Sequence, residues 1–187
     1  MNPYQREIIR LRELLQAERR AARTDHLTGL ENRRSLDGLA AELVAGAVRD
    51  YAVLAIDLAN LHAANVHLGH DAGDAALRRL AASIRDYDHA FRVGGDEFVV
   101  VLTQQHKPSD AVTVANRIRD VFGLTHVAPG IAVFAAIGVA WPTRTGAMKY
   151  QDLAPVIAEA QRRMQLDKAD AKASYGLHAD ARATLAD

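Results

Sequence analysis

The feature that most constrains this chain is a pair of apolar strands joined by a short turn of glycine and carboxylate. Ala90-Phe-Arg-Val93 and Phe98 to Leu102 read as strands, and Gly94-Gly95-Asp96-Glu97 lies between them. That spacing predicts a tight β-hairpin. Tyr51 to Ile56 is a continuous apolar run ending at Asp57, the pattern of a buried strand with a carboxylate at its C-terminal end. Ile131 to Ala140 reads as another strand. Helical spacing surrounds them. A helix restarts near Arg33, and Leu77, Leu80, Ala81 and Ile84 mark a core-facing stripe. Pro108-Ser109 opens a helix with Val112, Ala115, Ile118 and Phe122 on its apolar side, and Leu153, Val156, Ile157, Ala160 and Met164 define a last one. Helix, strand, helix, hairpin, helix, strand, helix predicts an α+β fold. A split βαβ plan on a mostly antiparallel sheet accommodates this order, as in a ferredoxin-like palm.

Residues 3–23 form a separate polar helix. Tyr4, Ile8, Leu11, Leu15 and Ala22 follow heptad steps, with Glu18 as the polar exception. The stripe predicts a dimerising stalk over residues 1–23, the plainer alternative being a helix packed on its own domain. A domain over 24–175 and a small, polar tail over 176–187 complete the expected organisation. With 187 residues, of which 49% are hydrophobic and 25% charged, the chain has material for one real core plus an appendage. Its formal net charge of zero gives no global field for nucleic acid or an anionic membrane. The absence of cysteine excludes disulfides, thiolate metal sites and cysteine nucleophiles, and fits a reducing compartment. No apolar run approaches the ~18–20 residues that span a bilayer, and no signal-peptide core opens the chain. No membrane insertion and a cytoplasmic location are therefore expected.

Chemistry concentrates at strand ends. If the Asp57 strand neighbours the hairpin, then Asp57, Asp96 and Glu97 converge at one sheet edge. Close carboxylates are costly unless a cation neutralises them. A few hard oxygens suit Mg²⁺ or Mn²⁺ shared with substrate phosphates, the logic of two-metal phosphoryl transfer. Taken singly, each residue has a plainer explanation: a strand-end Asp, a hairpin glycine pair, a loop Asn, an N-cap Asp, a surface ion pair.

Taken in register, they carry a resemblance. Arg92-Val-Gly-Gly-Asp-Glu-Phe98 contains the five-residue signature of the GGDEF family of diguanylate cyclases. Asp25-His-Leu-Thr-Gly-Leu-Glu-Asn-Arg-Arg34 resembles that family's opening motif, and Gly69-His70 with Gly73-Asp74 is similar to its Gly-His…Gly-Asp segment. The resemblance implies an enzyme that condenses two GTP into cyclic di-GMP and releases pyrophosphate, with two Mg²⁺ or Mn²⁺ ions per active site and a homodimer. It implies that Asp57, the Leu58 carbonyl, Asp96 and Glu97 hold metal, and that Asp96 and Glu97 serve catalysis. It places Asn65 and Asp74 on guanine. It brings His70, Gly94 and Gly95 near the substrate, and it sets Lys168 and Lys172, one helical turn apart, on phosphates. Arg85-Asp-Tyr-Asp88 is similar to the family's RxxD site, which implies inhibition by cyclic di-GMP bound at Arg85 and Asp88.

Departures stand beside these matches. Leu61-His62 occupies the place of a phenylalanine-lysine pair, so His62 is expected to face the phosphates where a permanent cation would stand. Val66 replaces an acidic residue, Gln161 and Gln165 replace landmarks of the last helix, and the usual Gly-Arg-Asn end is missing around Ala173-Ser174. The alternative function is a weakly active or inactive domain that acts as a receptor for GTP or cyclic di-GMP.

Overall fold

The computed structural model describes residues 1–44, 51–84, 87, 89–103, 108–142 and 153–174. Helix α1 (Pro3–Ala21) leads into a short strand β1 (Glu31–Asn32) and helix α2 (Arg33–Val44). Strand β2 (Ala52–Ala59) is followed by α3 (Leu61–Leu68) and α4 (His70–Ile84). Strands β3 (His89–Arg92) and β4 (Glu97–Leu102) make the hairpin, and α5 (Pro108–Phe122), β5 (Thr125–Ala128), β6 (Ile131–Ala140) and α6 (Leu153–Ser174) complete the order. The sheet runs β1-β3-β4-β2-β6-β5, and only the β1–β3 pair is parallel. This is the expected α+β architecture, with a β2–helices–β3–β4–α5–β6 unit at its centre.

Alternation along β2 divides the core. Ala52, Leu54, Ile56 and Leu58 face a cluster built with α3, α4 and α5. Val53, Ala55 and Ala59 face the opposite cluster, built with α2 and α6. Because successive side chains of a strand point to opposite faces, Asp57 falls on the α2/α6 side.

Helix α6 is seated unusually close to the sheet. A Cβ on Gly138 would lie 2.0 Å from the Ala160 carbonyl oxygen and 2.2 Å from the Met164 nitrogen, so glycine permits backbone-to-backbone contact there. β5 pairs with only the first residues of β6. Farther along, side chains take over the strand's outer edge. The Ile137 N–H donates to Asp167 at 2.8 Å, and Arg119 donates to the Ile137 carbonyl at 2.8 Å. Arg163 donates to the Val139 carbonyl at 2.8 Å. These contacts satisfy an edge that would otherwise be open to another strand, and they fix α6 where Lys168 can reach the sheet.

The structure corrects some local expectations. β2 continues through Leu58 and Ala59, so Asp57 lies inside the strand and not at its end. β1, α3 and β5 are additional elements. On α5, Ala115, Ile118 and Phe122 are buried as expected, but the first position of the stripe is filled by Ala111, which is fully buried, and not by Val112, which is 44% exposed. Helix α1 has no buried residue, and Tyr4, Ile8, Leu11 and Leu15 are all at least half exposed. The helix therefore buries no side chain against the described residues of the domain. Its N-terminus is closed by a capping box between Asn2 and Gln5. No helix among the described residues is long and apolar enough to cross a membrane.

Candidate active site

The register of β2 and β4 sets Asp57 directly opposite Glu97. Residues directly opposite in an antiparallel pair share a face, so two carboxylates are brought together on the α6 side, where like charges oppose each other. Asp57 is only 5% exposed. Among the described residues its short side-chain contact is Lys168 on α6, whose Nζ donates to Oδ1 at 2.6 Å. Burial pushes the Asp57 carboxyl above the ordinary carboxylate value; Lys168, and more weakly Lys172, pull it down, and Asp96 adds to the upward push.

The hairpin turn is held from both sides. The Val93 and Gly94 N–H groups donate to the Glu97 carbonyl at 2.9 and 3.3 Å, and the Leu58 N–H donates to the Asp96 carbonyl at 3.1 Å. The two glycines have different reasons to be glycine. A Cβ on Gly94 would come 2.8 Å from Glu97 Oε2, so this residue makes room for the folded-back Glu97 carboxylate. A Cβ on Gly95 would meet nothing within 4 Å, and Gly95 does not have a positive φ. Neither sterics nor backbone conformation requires glycine there, which leaves open space beside the carboxylates for a ligand's approach. Among the described residues no three His, Asp or Glu side chains form a ready-made metal cage. Asp57, Asp96 and Glu97 instead line an open edge. Such hard oxygens fit Mg²⁺ or Mn²⁺ that keeps waters and shares phosphate oxygens, and the Lys168 ammonium already occupies a cation's place on Asp57.

On the other side of the sheet, α3 and α4 carry the expected base-reading pair. Asn60 starts α3 in a left-handed conformation (φ 63°) and donates from Nδ2 to the Ala132 carbonyl at 2.8 Å, which ties the helix to β6. Gly69, at φ 84°, ends it. Asn65 leans against Gly73 on α4. Asp74, next to Gly73, has a long contact of 3.5 Å to Arg78. His62 and His70 are both exposed, on α3 and at the first residue of α4. Lys172 lies half-buried one turn after Lys168. Arg85 and Asp88 of the expected inhibitory site lie outside the described residues, as does the 176–187 tail.

One clasp had no assigned role in the sequence reading. Arg92 donates to both oxygens of Asp25, at 3.1 and 3.3 Å, and to the Gly95 carbonyl at 2.7 Å. Asp25 also accepts from the Thr28 hydroxyl at 2.6 Å and the Thr28 N–H at 2.9 Å. Burial would raise the Asp25 pKa, but the Thr28 donors and Arg92 outweigh it and hold it below the ordinary value. The clasp joins the loop after α1 to the glycine turn. Opposite charges heading the two motifs, Asp25 and Arg92, were the available signal.

Comparison with known proteins matches this arrangement to one family. The model of the diguanylate cyclase GGDEF domain matches residues 22–174, and the chain belongs to that family. Response regulator PleD of Caulobacter vibrioides is 37% identical over 141 residues, which cover 69% of this chain and 31% of that protein. Diguanylate cyclase DosC of Escherichia coli is 36% identical over 126 residues, 63% of this chain and 27% of that protein. The chain thus spans less than a third of the length of these relatives. Among solved structures, the coiled coil and GGDEF domain of DgcB from Caulobacter crescentus in complex with c-di-GMP superposes with a TM-score of 0.73 at 25% identity, covering 89% of this chain and 91% of that one.

Proposed function

We propose that the chain is a metal-dependent diguanylate cyclase. Two protomers face each other, each holding one GTP. The 3′-hydroxyl oxygen of each GTP attacks the α-phosphorus of the other, a 3′–5′ phosphodiester forms, and the bond to pyrophosphate breaks. Two such steps give one cyclic di-GMP and two pyrophosphates. The observation that carries this reading is Asp57 opposite Glu97 beside a turn that leaves space at Gly95.

Asp57, the Leu58 carbonyl, Asp96 and Glu97 would hold two Mg²⁺ or Mn²⁺ ions. Those ions supply charge neutralisation on the phosphates and a lowered pKa for the attacking hydroxyl. Lys168 and Lys172 bind phosphate oxygens, and His62 stands in the place of a further cation. Asp74 accepts from guanine N1–H and the exocyclic amine, and Asn65 donates to the acceptor edge. Helix α1, with its bare apolar stripe, pairs with its copy and sets the distance between half-sites. Product feedback through Arg85 and Asp88 rests on the sequence pattern, and Arg85→Ala tests it by raising the inhibitory concentration of cyclic di-GMP.

Incubation with GTP and Mg²⁺, with separation of nucleotides, tests the whole reading. Cyclic di-GMP and pyrophosphate in a 1:2 ratio are expected from this stoichiometry. Binding of GTP or cyclic di-GMP without turnover would make the domain a receptor, and neither binding nor turnover would leave only a scaffold. For base choice, Asp74→Ala is expected to cost about 1–3 kcal/mol of GTP binding, read by calorimetry against ATP.

A further inference from the structure

We infer that Gly73 is a positioning residue that fixes which end of the Asn65 amide meets the nucleotide base. A Cβ on Gly73 would lie 1.9 Å from Asn65 Oδ1, 2.9 Å from Cγ and 3.3 Å from Nδ2. No side chain larger than hydrogen can coexist with this position of Asn65. Gly73 has no positive φ, so its backbone conformation does not call for glycine; the space taken by Asn65 does. Gly73 is buried in the first turn of α4, and glycine is a poor helix former.

The contact also orients the amide. Oδ1 is buried and has no hydrogen-bond partner among the described residues. It sits where the Gly73 Cβ would be, which is the direction of a glycine Cα–H, a weak donor that an oxygen accepts better than an NH₂ group would. The acceptor end is thereby turned inward, and Nδ2 is the end left for a ligand. A site that offers only a donor favours a base presenting an acceptor. Guanine O6 is an acceptor, and the N6 amine at the same position of adenine is a donor. Gly73 would thus contribute to the choice of guanine over adenine without touching the base. This rests on the reading of Asn65 as a base contact.

The test is a cycle of Asn65→Ala, Gly73→Ala and the double variant. Base preference is read by calorimetry with the α,β-methylene analogues of GTP and ATP, which bind without losing pyrophosphate. The side-chain amide resonances of Asn65 are read by NMR in the ligand-free protein. Asn65 Oδ1 is the far end of a short flexible side chain, so Gly73→Ala is expected to swing Asn65 outward and leave the domain folded. Its amide resonances should move to solvent-exposed positions. Preference for the guanine analogue should fall about ten- to hundredfold, as it does in Asn65→Ala. In the Asn65→Ala background Gly73→Ala should cause no further fall, because its effect passes through the missing side chain. Unmoved Asn65 resonances, or a further fall in the double variant, would overturn the inference. So would a double variant that fails to fold while Asn65→Ala folds. If the resonances move but Asn65→Ala keeps the full preference, Gly73 still positions Asn65, and it is the base-contact reading that fails.

Discussion

Asp25 and Asp57 are both carboxylates paired with one cationic side chain, yet their pKa values move in opposite directions. Burial pushes both upward. At Asp25, donors from Thr28 and the Arg92 guanidinium outweigh that push. At Asp57, the contact to Lys168 at 2.6 Å and the weaker pull of Lys172 do not, and the negative charge of Asp96 adds to the upward push. Both pairs are short, so distance alone does not separate them. What separates them is depth of burial, the Asp57 side chain being 6% exposed and that of Asp25 17%, together with how completely the carboxylate's hydrogen-bonding capacity is filled. The Asp25 clasp is complete within the chain and reads as structure. Asp57 is under-compensated and reads as a place kept for additional positive charge.

The sharpest way to break this contrast is to neutralise each carboxylate. Asp57→Asn is expected to lower turnover by roughly a thousandfold or more, the several kcal/mol that a metal's charge stabilisation contributes. Asp25→Asn is expected to leave turnover per folded molecule within about tenfold, since it only loosens the turn through Arg92. Initial rates with GTP and Mg²⁺, normalised to folded protein, decide it. Equal losses would erase the distinction.

Stability against pH separates the pair a second time. Asp25→Asn is expected to cost about 1–3 kcal/mol at pH 7, the range for removing a charged hydrogen-bond partner at a partly buried site. The folded pKa of Asp25 is depressed, so its contribution is present above the ordinary value of 3.8 and is lost as pH falls through the lower folded value. The folded pKa of Asp57 is raised, so its ionised form opposes folding increasingly as pH rises from 3.8 to the folded value. Relative to the parent, Asp57→Asn should therefore gain stability as pH rises, and Asp25→Asn should lose it. Thermal unfolding in EDTA across pH 3–8, about the range these carboxylates titrate in, should give difference curves of opposite slope. Parallel curves would mean that the two environments do not differ.

Much of the fold could be read locally because its signals are local. Ile131 to Ala140 has the bounds of β6, and the turn expected at Gly94 to Glu97 does join two strands, although Glu97 belongs to β4 and Val93 lies outside β3. β1 carried no such signal: it is two residues long and exists by pairing with β3. β5 begins with exposed Thr125 and His126, so no apolar alternation marks it. The single misplaced position on α5, Val112 in place of Ala111, arose because alanine also fills a buried position, and periodicity weighted the larger residue. At the site, residue types and motif spacing pointed to the carboxylates, but not to their partners. Lys168 meets Asp57 across 111 residues, and Arg92 meets Asp25 across 67. Nor did spacing reveal that Glu97 faces Asp57, because that depends on a strand register fixed by the whole sheet.

The smallest expected effect tests whether the cation on Asp57 is exchangeable. Lys168 is 23% exposed and reaches Asp57 from a helix held to β6 through Asp167 and Arg163, so it can withdraw without disturbing the sheet. Its ammonium occupies a place on the carboxylate that a metal would need. Removing it should then strengthen metal binding in the absence of nucleotide, although it weakens the hold on phosphates. Lys168→Met is expected to tighten Mn²⁺ binding to the nucleotide-free protein by about fivefold, equivalent to the roughly 1 kcal/mol of a partly exposed ion pair. Titration followed by the electron paramagnetic resonance of free Mn²⁺ measures this without turnover. The same change in the other region gives the control. Arg92 shares Asp25 with the Thr28 donors, so Arg92→Met should leave Asp25 occupied and create no new Mn²⁺ affinity. Unchanged or weaker Mn²⁺ binding in Lys168→Met would mean that Lys168 and the metal do not compete for Asp57. Asp57 would then be as closed a site as Asp25.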